Sequence, residues 1–198
     1  MIAGLILAGG RSSRFGSDKA CARLHGRTLL ELAKLALQGR CAMLAASARP
    51  GSEAEAMAYD LGLEAIEDQP QDSPGPLAGI RAGLVWAEEM GADRLALRAV
   101  DAPFIPGAVL DQLQAALGRA PAAYCVTDQG PEPLCSLWTL DALPALEAAL
   151  EHERHPAVHH LLDEMGAVRL LVDDAAAFAN INTPQDMTLA ETRTLPKP

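Results

Sequence analysis

Short apolar runs recur along this chain, separated by amphipathic stretches. Residues 2–8, 41–46, 63–66, 95–100, 122–126, 134–138 and 168–172 each read as a strand. Runs this short and continuously apolar fit strands buried on both faces of a parallel sheet. Leu29, Leu30, Leu32, Ala33, Leu35, Ala36 and Leu37 form the buried side of one helix, and Ile80, Ala82, Gly83, Leu84, Trp86 and Ala87 that of another. Strands alternating with helices require βαβ crossovers, so the expected fold class is α/β: a three-layer, Rossmann-like, mostly parallel sheet with helices on both faces. The alternation breaks after the strand at 122–126. Asp128-Gln129-Gly130-Pro131 has the composition of a hairpin turn, which predicts some antiparallel pairing in the C-terminal half.

Composition narrows this picture. With 198 residues, 49% of them hydrophobic, the chain can bury one sizeable core, and residues 1–198 are expected to form a single domain. No stretch approaches about 20 consecutive apolar residues, and the amino terminus lacks the charged start and cleavage site of a signal peptide, so a cytoplasmic protein with no membrane partner is expected. Cys21, Cys41, Cys125 and Cys135 include no Cys-x-x-Cys pair and are expected to be reduced and mostly buried. A net charge of −10 opposes nucleic-acid binding. The balance is uneven: residues 1–40 carry +5 and the remainder −15. Positive charge gathered at one end of an acidic chain suits the steering of a small polyanion into one cleft.

That end holds the most distinctive segment. After the first strand come Gly9 and Gly10, where the absence of a Cβ lets backbone N–H groups approach phosphate oxygens. Arg11, Arg14 and Lys19 surround the turn, and Gly16 interrupts it. The spacing to Gly16-Ser17-Asp18-Lys19 does not fit a Walker A loop, and Gly9-Gly10 does not supply the Rossmann dinucleotide fingerprint. Asp101 directly follows the run ending at Val100, so it emerges at the sheet edge, where its carboxylate can hold Mg²⁺. Alternatively, it caps the helix expected near Pro106. Lys19 is otherwise a solvated lysine at a helix start. Gly75 and Gly79, in Pro74-Gly75-Pro76-Leu77-Ala78-Gly79, open a helix amino terminus that attracts anions. Asn180 and Asn182 bracket Ile181 and project to one side of an extended segment, unless Asn182 merely caps a helix at Thr183-Pro184. His152, His155, His159 and His160 cluster in sequence, but Pro156 reads as a first-turn proline and no third zinc ligand is apparent.

Leu7-Ala8-Gly9-Gly10-Arg11-Ser12-Ser13-Arg14-Phe15-Gly16-Ser17-Asp18-Lys19 resembles the signature loop of molybdenum cofactor guanylyltransferases. Glu67-Asp68 with the Pro74–Gly79 turn, Val100-Asp101-Ala102-Pro103-Phe104-Ile105-Pro106, and Asn180-Ile181-Asn182-Thr183-Pro184 match in order, spanning residues 2 to about 190. The resemblance implies a sugar-nucleotide-type nucleotidyltransferase that moves GMP from Mg-GTP to the terminal phosphate of molybdenum-bound molybdopterin and releases pyrophosphate. It implies nucleotide contacts from Leu7, Ala8, Gly9, Gly10, Gly16, Lys19, Asp68, Gly75, Gly79 and Asp101, and pterin contacts from Arg154, Asn180 and Asn182. Arg14, Lys19 and Asp101 would be catalytic, Asp101 through Mg²⁺ and the two cations by stabilising the leaving pyrophosphate. Cofactor delivery proteins and acceptor molybdoenzymes are the implied partners. Gly9 stands where related cytidylyltransferases read alanine, favouring a purine, yet Ser47-Ala48-Arg49 lacks the asparagine the family commonly shows there. A cytidylyl- or sugar-phosphate nucleotidyltransferase, or a catalytically silent nucleotide binder, is the rival reading.

Overall fold

The computed structural model describes residues 1–8, 18–67, 75–151 and 156–197. Among these residues nine strands form: β1 (Ile2–Leu7), β2 (Arg23–Leu24), β3 (Arg27–Thr28), β4 (Met43–Ser47), β5 (Glu64–Ile66), β6 (Arg94–Ala99), β7 (Ala122–Thr127), β8 (Gly130–Thr139) and β9 (Val168–Leu171). The described residues also form seven α-helices: α1 (Leu29–Leu37), α2 (Glu53–Asp60), α3 (Pro76–Glu89), α4 (Ala108–Leu117), α5 (Leu143–Glu151), α6 (Val158–Glu164) and α7 (Pro184–Ala190). Apart from the small β2–β3 hairpin, the strands join one sheet in the order β5-β4-β1-β6-β8-β7-β9. β8 pairs antiparallel with both β6 and β7, whereas the other neighbouring strands are parallel. The expected α/β class holds, and within the seven-stranded sheet the antiparallel element is the single strand β8.

Alternation along each strand sends side chains to two separate cores, as a sheet buried on both faces requires. Ile6, Ala96, Ala123 and Leu137 join Leu29, Leu30, Leu113 and Phe178 under α1, α2 and α4. Leu5, Leu95, Tyr124 and Trp138 meet Ile80, Leu84, Leu146 and Leu162 under α3, α5 and α6. At Gly83 helix α3 comes closest to the sheet, where a Cβ would lie 2.5 Å from Leu5 Cδ2 and 3.0 Å from Leu95 Cδ2. No helix among the described residues is long and apolar enough to cross a membrane. Of the four cysteines, all free, Cys125 and Cys135 are buried while Cys21 and Cys41 are partly exposed, so the expectation that most are buried holds for half of them.

Chain order reverses direction beside β1: the sheet grows outward from β1 through β4 to β5, then α3 returns the chain to β6 on the other side. A crevice opens at the carboxyl ends of strands flanking such a reversal. Ala8 after β1 and Asp101 after β6 therefore share one edge. Because β8 runs the opposite way, its amino end reaches that same edge.

Candidate active site

Three segments far apart in the chain meet at this edge. The Lys19 Nζ donates to Asp101 Oδ2 at 3.2 Å and to Asn182 Oδ1 at 2.7 Å. The Ile181 N–H donates to the Asp101 carbonyl at 2.8 Å, which lays residues 180–182 against the turn leaving β6. Lys19 and Asp101 thus touch, rather than facing each other across an open pocket. Their side chains are 17% and 25% exposed, so the ion pair is shielded from water more than an ordinary surface pair.

Local structure explains why each side chain is where it is. Lys19 opens a short 3-10 turn, Lys19–Cys21, whose buried Ala20 anchors it. Asp18 accepts from Ala20 N through Oδ1 and from Ala54 N, in the first turn of α2, through Oδ2. One carboxylate therefore caps the turn and ties it to a helix amino terminus, where negative charge is favoured. Asp101 does not cap a helix: α4 begins later, with Gly107 preceding it and no side-chain cap. Asn182 is not a cap either. Thr183 caps α7, accepting from Asp186 N while Asp186 accepts from Thr183 N and Asn182 N, a reciprocal capping box that leaves the Asn182 amide to Lys19. Asn180 and Asn182 are exposed on either side of buried Ile181, in the alternation expected of an extended segment.

Glu132, near the amino end of β8, was not singled out by sequence. Burial raises its carboxyl from the ordinary value, and the charge of Asp101 raises it further. The signal that places it there is the hairpin itself, which returns β8 beside the end of β6.

The other expected site residues distribute as follows. The backbone of Leu7 and Ala8 is held in the sheet, Leu7 O accepting from Val100 N and Ala8 N donating to Ser47 O. Gly75 precedes α3 with no side-chain cap hydrogen bond, and Gly79 lies buried in its first turns. Gly9, Gly10, Arg11, Arg14, Gly16, Asp68 and Arg154 lie outside the described residues, as do His152 and His155. The rings of His159 and His160 stack edge to face with centroids 4.1 Å apart, and Pro156 precedes α6 rather than lying in its first turn. No group of three or more metal-ligating side chains occurs among the described residues.

A mostly parallel sheet with a cation, a carboxylate and an amide joined at its reversal point has its polar groups where α/β sheets of this order bind ligands. Residues 4–168 match the signature of the MobA-like NTP transferase domain, and the chain belongs to that family. It is 36% identical over 195 residues to a molybdenum cofactor guanylyltransferase of Rhodobacter capsulatus, covering 97% of this chain and 96% of that one. To a protein of the same name from Cereibacter sphaeroides it is 38% identical over 190 residues, covering 95% and 94% of the two chains. Among solved structures, it superposes on the molybdopterin-guanine dinucleotide biosynthesis protein A of Archaeoglobus fulgidus with a TM-score of 0.75 at 27% identity, covering 96% of this chain and 97% of that one. The 4-diphosphocytidyl-2C-methyl-D-erythritol synthase of Anaerococcus prevotii shares the fold, with a TM-score of 0.74 at 13% identity over 96% and 94% of the two chains.

Proposed function

We propose that this protein transfers GMP from GTP to the terminal phosphate of molybdenum-bound molybdopterin. The acceptor phosphate oxygen bonds to the α-phosphorus of GTP, the bond from that phosphorus to the β-phosphate oxygen breaks, and pyrophosphate leaves. The observation that carries this reading is the junction of Lys19 with Asp101 and Asn182, in a chain related along nearly its full length to guanylyltransferases.

An ammonium has three donors. Two of those on Lys19 are engaged by Asp101 and Asn182, which leaves one for a phosphate oxygen while its charge stays fixed at the site. Such preorganised charge lowers the barrier by opposing the negative charge that develops as pyrophosphate departs. Arg14 shares that work, and Gly9, Gly10 and Gly16 let the loop backbone follow the phosphates. Asp68 holds the nucleoside, and the α3 amino terminus at Gly75 and Gly79 adds N–H groups toward the anion. Arg154, Asn180 and Asn182 receive the pterin side, so Asn182 links the two substrates through Lys19.

The donor set fits a hard divalent cation: Lys19 engages Oδ2 of Asp101, leaving Oδ1 to coordinate, and the Glu132 carboxyl lies on the same edge. Mg²⁺ held by Asp101 would polarise the α-phosphate and neutralise part of the triphosphate charge. The whole chain, residues 1–198, acts as one nucleotidyltransferase domain in the cytoplasm, where GTP is supplied. It would receive molybdopterin from delivery proteins and pass its product to acceptor molybdoenzymes.

Pyrophosphate release measured with GTP, CTP and ATP in turn, each with Mg²⁺ and molybdopterin-loaded acceptor, tests the assignment. GTP is expected to support release well above the other two. A preference for CTP would replace the reading with cytidylyl transfer, and release that ignores the acceptor would remove the transferase reading.

A further inference from the structure

The β7–β8 ladder contains an irregularity that the proposed transfer does not use. Pairing runs from Ala122↔Trp138 to Tyr124↔Ser136, then slips to Cys125↔Glu132. Pro133, Leu134 and Cys135 are therefore extra residues on β8, a three-residue bulge. The Ser136 hydroxyl closes it by donating to the Pro133 carbonyl at 2.7 Å, and the Trp138 indole donates to that hydroxyl at 2.8 Å. The bulge swings Cys135 toward Cys125, so that two free thiols ten residues apart lie with their sulfurs 3.6 Å from each other. Both are buried in the core under α1 and α4.

Arg98 sits on the same face of the sheet, by its parity with Ala96 and Val100. It is 3% exposed, donates to the Ile105 carbonyl, and its Nε has no hydrogen-bond partner among the described residues. A buried cation without a counter-ion is costly. Burial weakens the hold of this guanidinium on its proton, and the neighbouring sulfurs, Cys135 before Cys125, act against that loss. The pair is polarised accordingly. Cys125 donates to Cys135, and that hydrogen bond, aided by Arg98, pulls the Cys135 thiol below its ordinary range against the opposing effects of burial and Glu132. The Cys125 thiol is pushed up, first by Cys135 and then by burial, and so keeps its proton. One sulfur is thus suited to attack and its neighbour to resolve.

We propose that Cys125 and Cys135 form an oxidisable dithiol beneath the active-site edge, with Cys135 the attacking sulfur, Arg98 its counter-ion and a hydroperoxide the oxidant. The Cys135 thiolate attacks the outer peroxide oxygen, the O–O bond breaks, and the departing oxygen takes a proton as water or alcohol. Cys135 is left as a sulfenic acid. Cys125 then attacks that sulfur, the S–O bond breaks, and water leaves with the Cys125 proton. Two electrons pass from the dithiol to the peroxide, and an intrachain disulfide results. Pro133, Leu134 and Cys135 are outside the ladder to β7, and local opening there is the proposed route for the oxidant.

The test uses the full chain exposed to hydrogen peroxide, then unfolded, alkylated and mapped by mass. The expected product has lost two hydrogens, carries a cross-link between the peptides of Cys125 and Cys135, retains alkylatable Cys21 and Cys41, and returns to four free thiols with dithiothreitol. In Cys125→Ser the reaction is expected to stop at a sulfenic acid on Cys135 that dimedone traps. Arg98→Met is expected to slow the first step by about tenfold or more, with partial recovery in Arg98→Lys, in protein whose circular dichroism shows the native fold. Exposure alone would favour Cys21, which is partly exposed. Oxidation of Cys21 while Cys125 and Cys135 both remain alkylatable would overturn the proposal, as would equal rates in wild type and Arg98→Met.

Discussion

Lys19 owes its place to a residue that does no chemistry. Asp18 holds the Lys19–Cys21 turn from one oxygen and the start of α2 from the other. Asp18→Ala is expected to lower unfolding free energy by about 1 kcal/mol, read from the urea midpoint, and to reduce turnover beyond what that loss explains because the ammonium is no longer held. Unchanged turnover in folded protein would show that Lys19 needs no such support. Glu132 makes a different prediction. Its folded-state proton affinity is raised, first by burial and then by Asp101, so above the ordinary Glu range the folded state binds more protons than the unfolded one. Stability from this group therefore declines as pH rises from the unfolded value through the folded one. Denaturant midpoints of Glu132→Gln should lack that decline, and parallel pH profiles would contradict it. At this scale the sequence marked Lys19, Asp101 and Asn182 as candidates, because residue type and flanking turns are local signals. It did not expose Asp18 or Glu132, whose roles depend on partners brought close only by folding.

Elements show the same division. α1 and α3 were legible because large apolar residues recur along one face. α2 was not: its buried face is only Ala54 and Ala58, too slight for a hydrophobic period, although Ser52 and Glu55 mark its start. β8 was read as 134–138 but runs Gly130–Thr139, since Pro131 and Pro133 disguise a strand that tolerates them at its hairpin end and bulge. Helix α7 matters through its capping box, which leaves Asn182 free to meet Lys19. Thr183→Ala is expected to cost about 1 kcal/mol and to weaken substrate binding in parallel with Asn182→Ala. An effect on stability with none on binding would separate the cap from the site. Gly107 is a close contact between the turn after Asp101 and α1: a Cβ there would lie 2.5 Å from the Ala36 carbonyl oxygen. Gly107→Ala should destabilise the protein by about 1–3 kcal/mol, measurable in urea, because a backbone atom must give way.

The whole molecule carries its charge unevenly, with +5 in residues 1–40 against a total of −10. Lys19, midway along that cationic segment, reaches Asp101 at the edge where β1 and β6 end. Local attraction of the triphosphate then competes with repulsion by the rest of the surface. Local attraction is expected to dominate, so that kcat/KM for GTP falls with ionic strength while kcat changes little. A rise would mean that net charge governs encounter. The three-layer architecture was legible from the alternation of strands and helices. The meeting of residues 19, 101 and 182 was legible only as a consequence of strand order, since carboxyl ends that flank a reversal share one edge. The most direct test follows label from the α-phosphate of GTP into the pterin product, comparing wild type with Asp101→Asn. Labelled dinucleotide should form with wild type and fall by about a hundredfold or more in the folded variant, and equal yields from the two proteins would contradict the account.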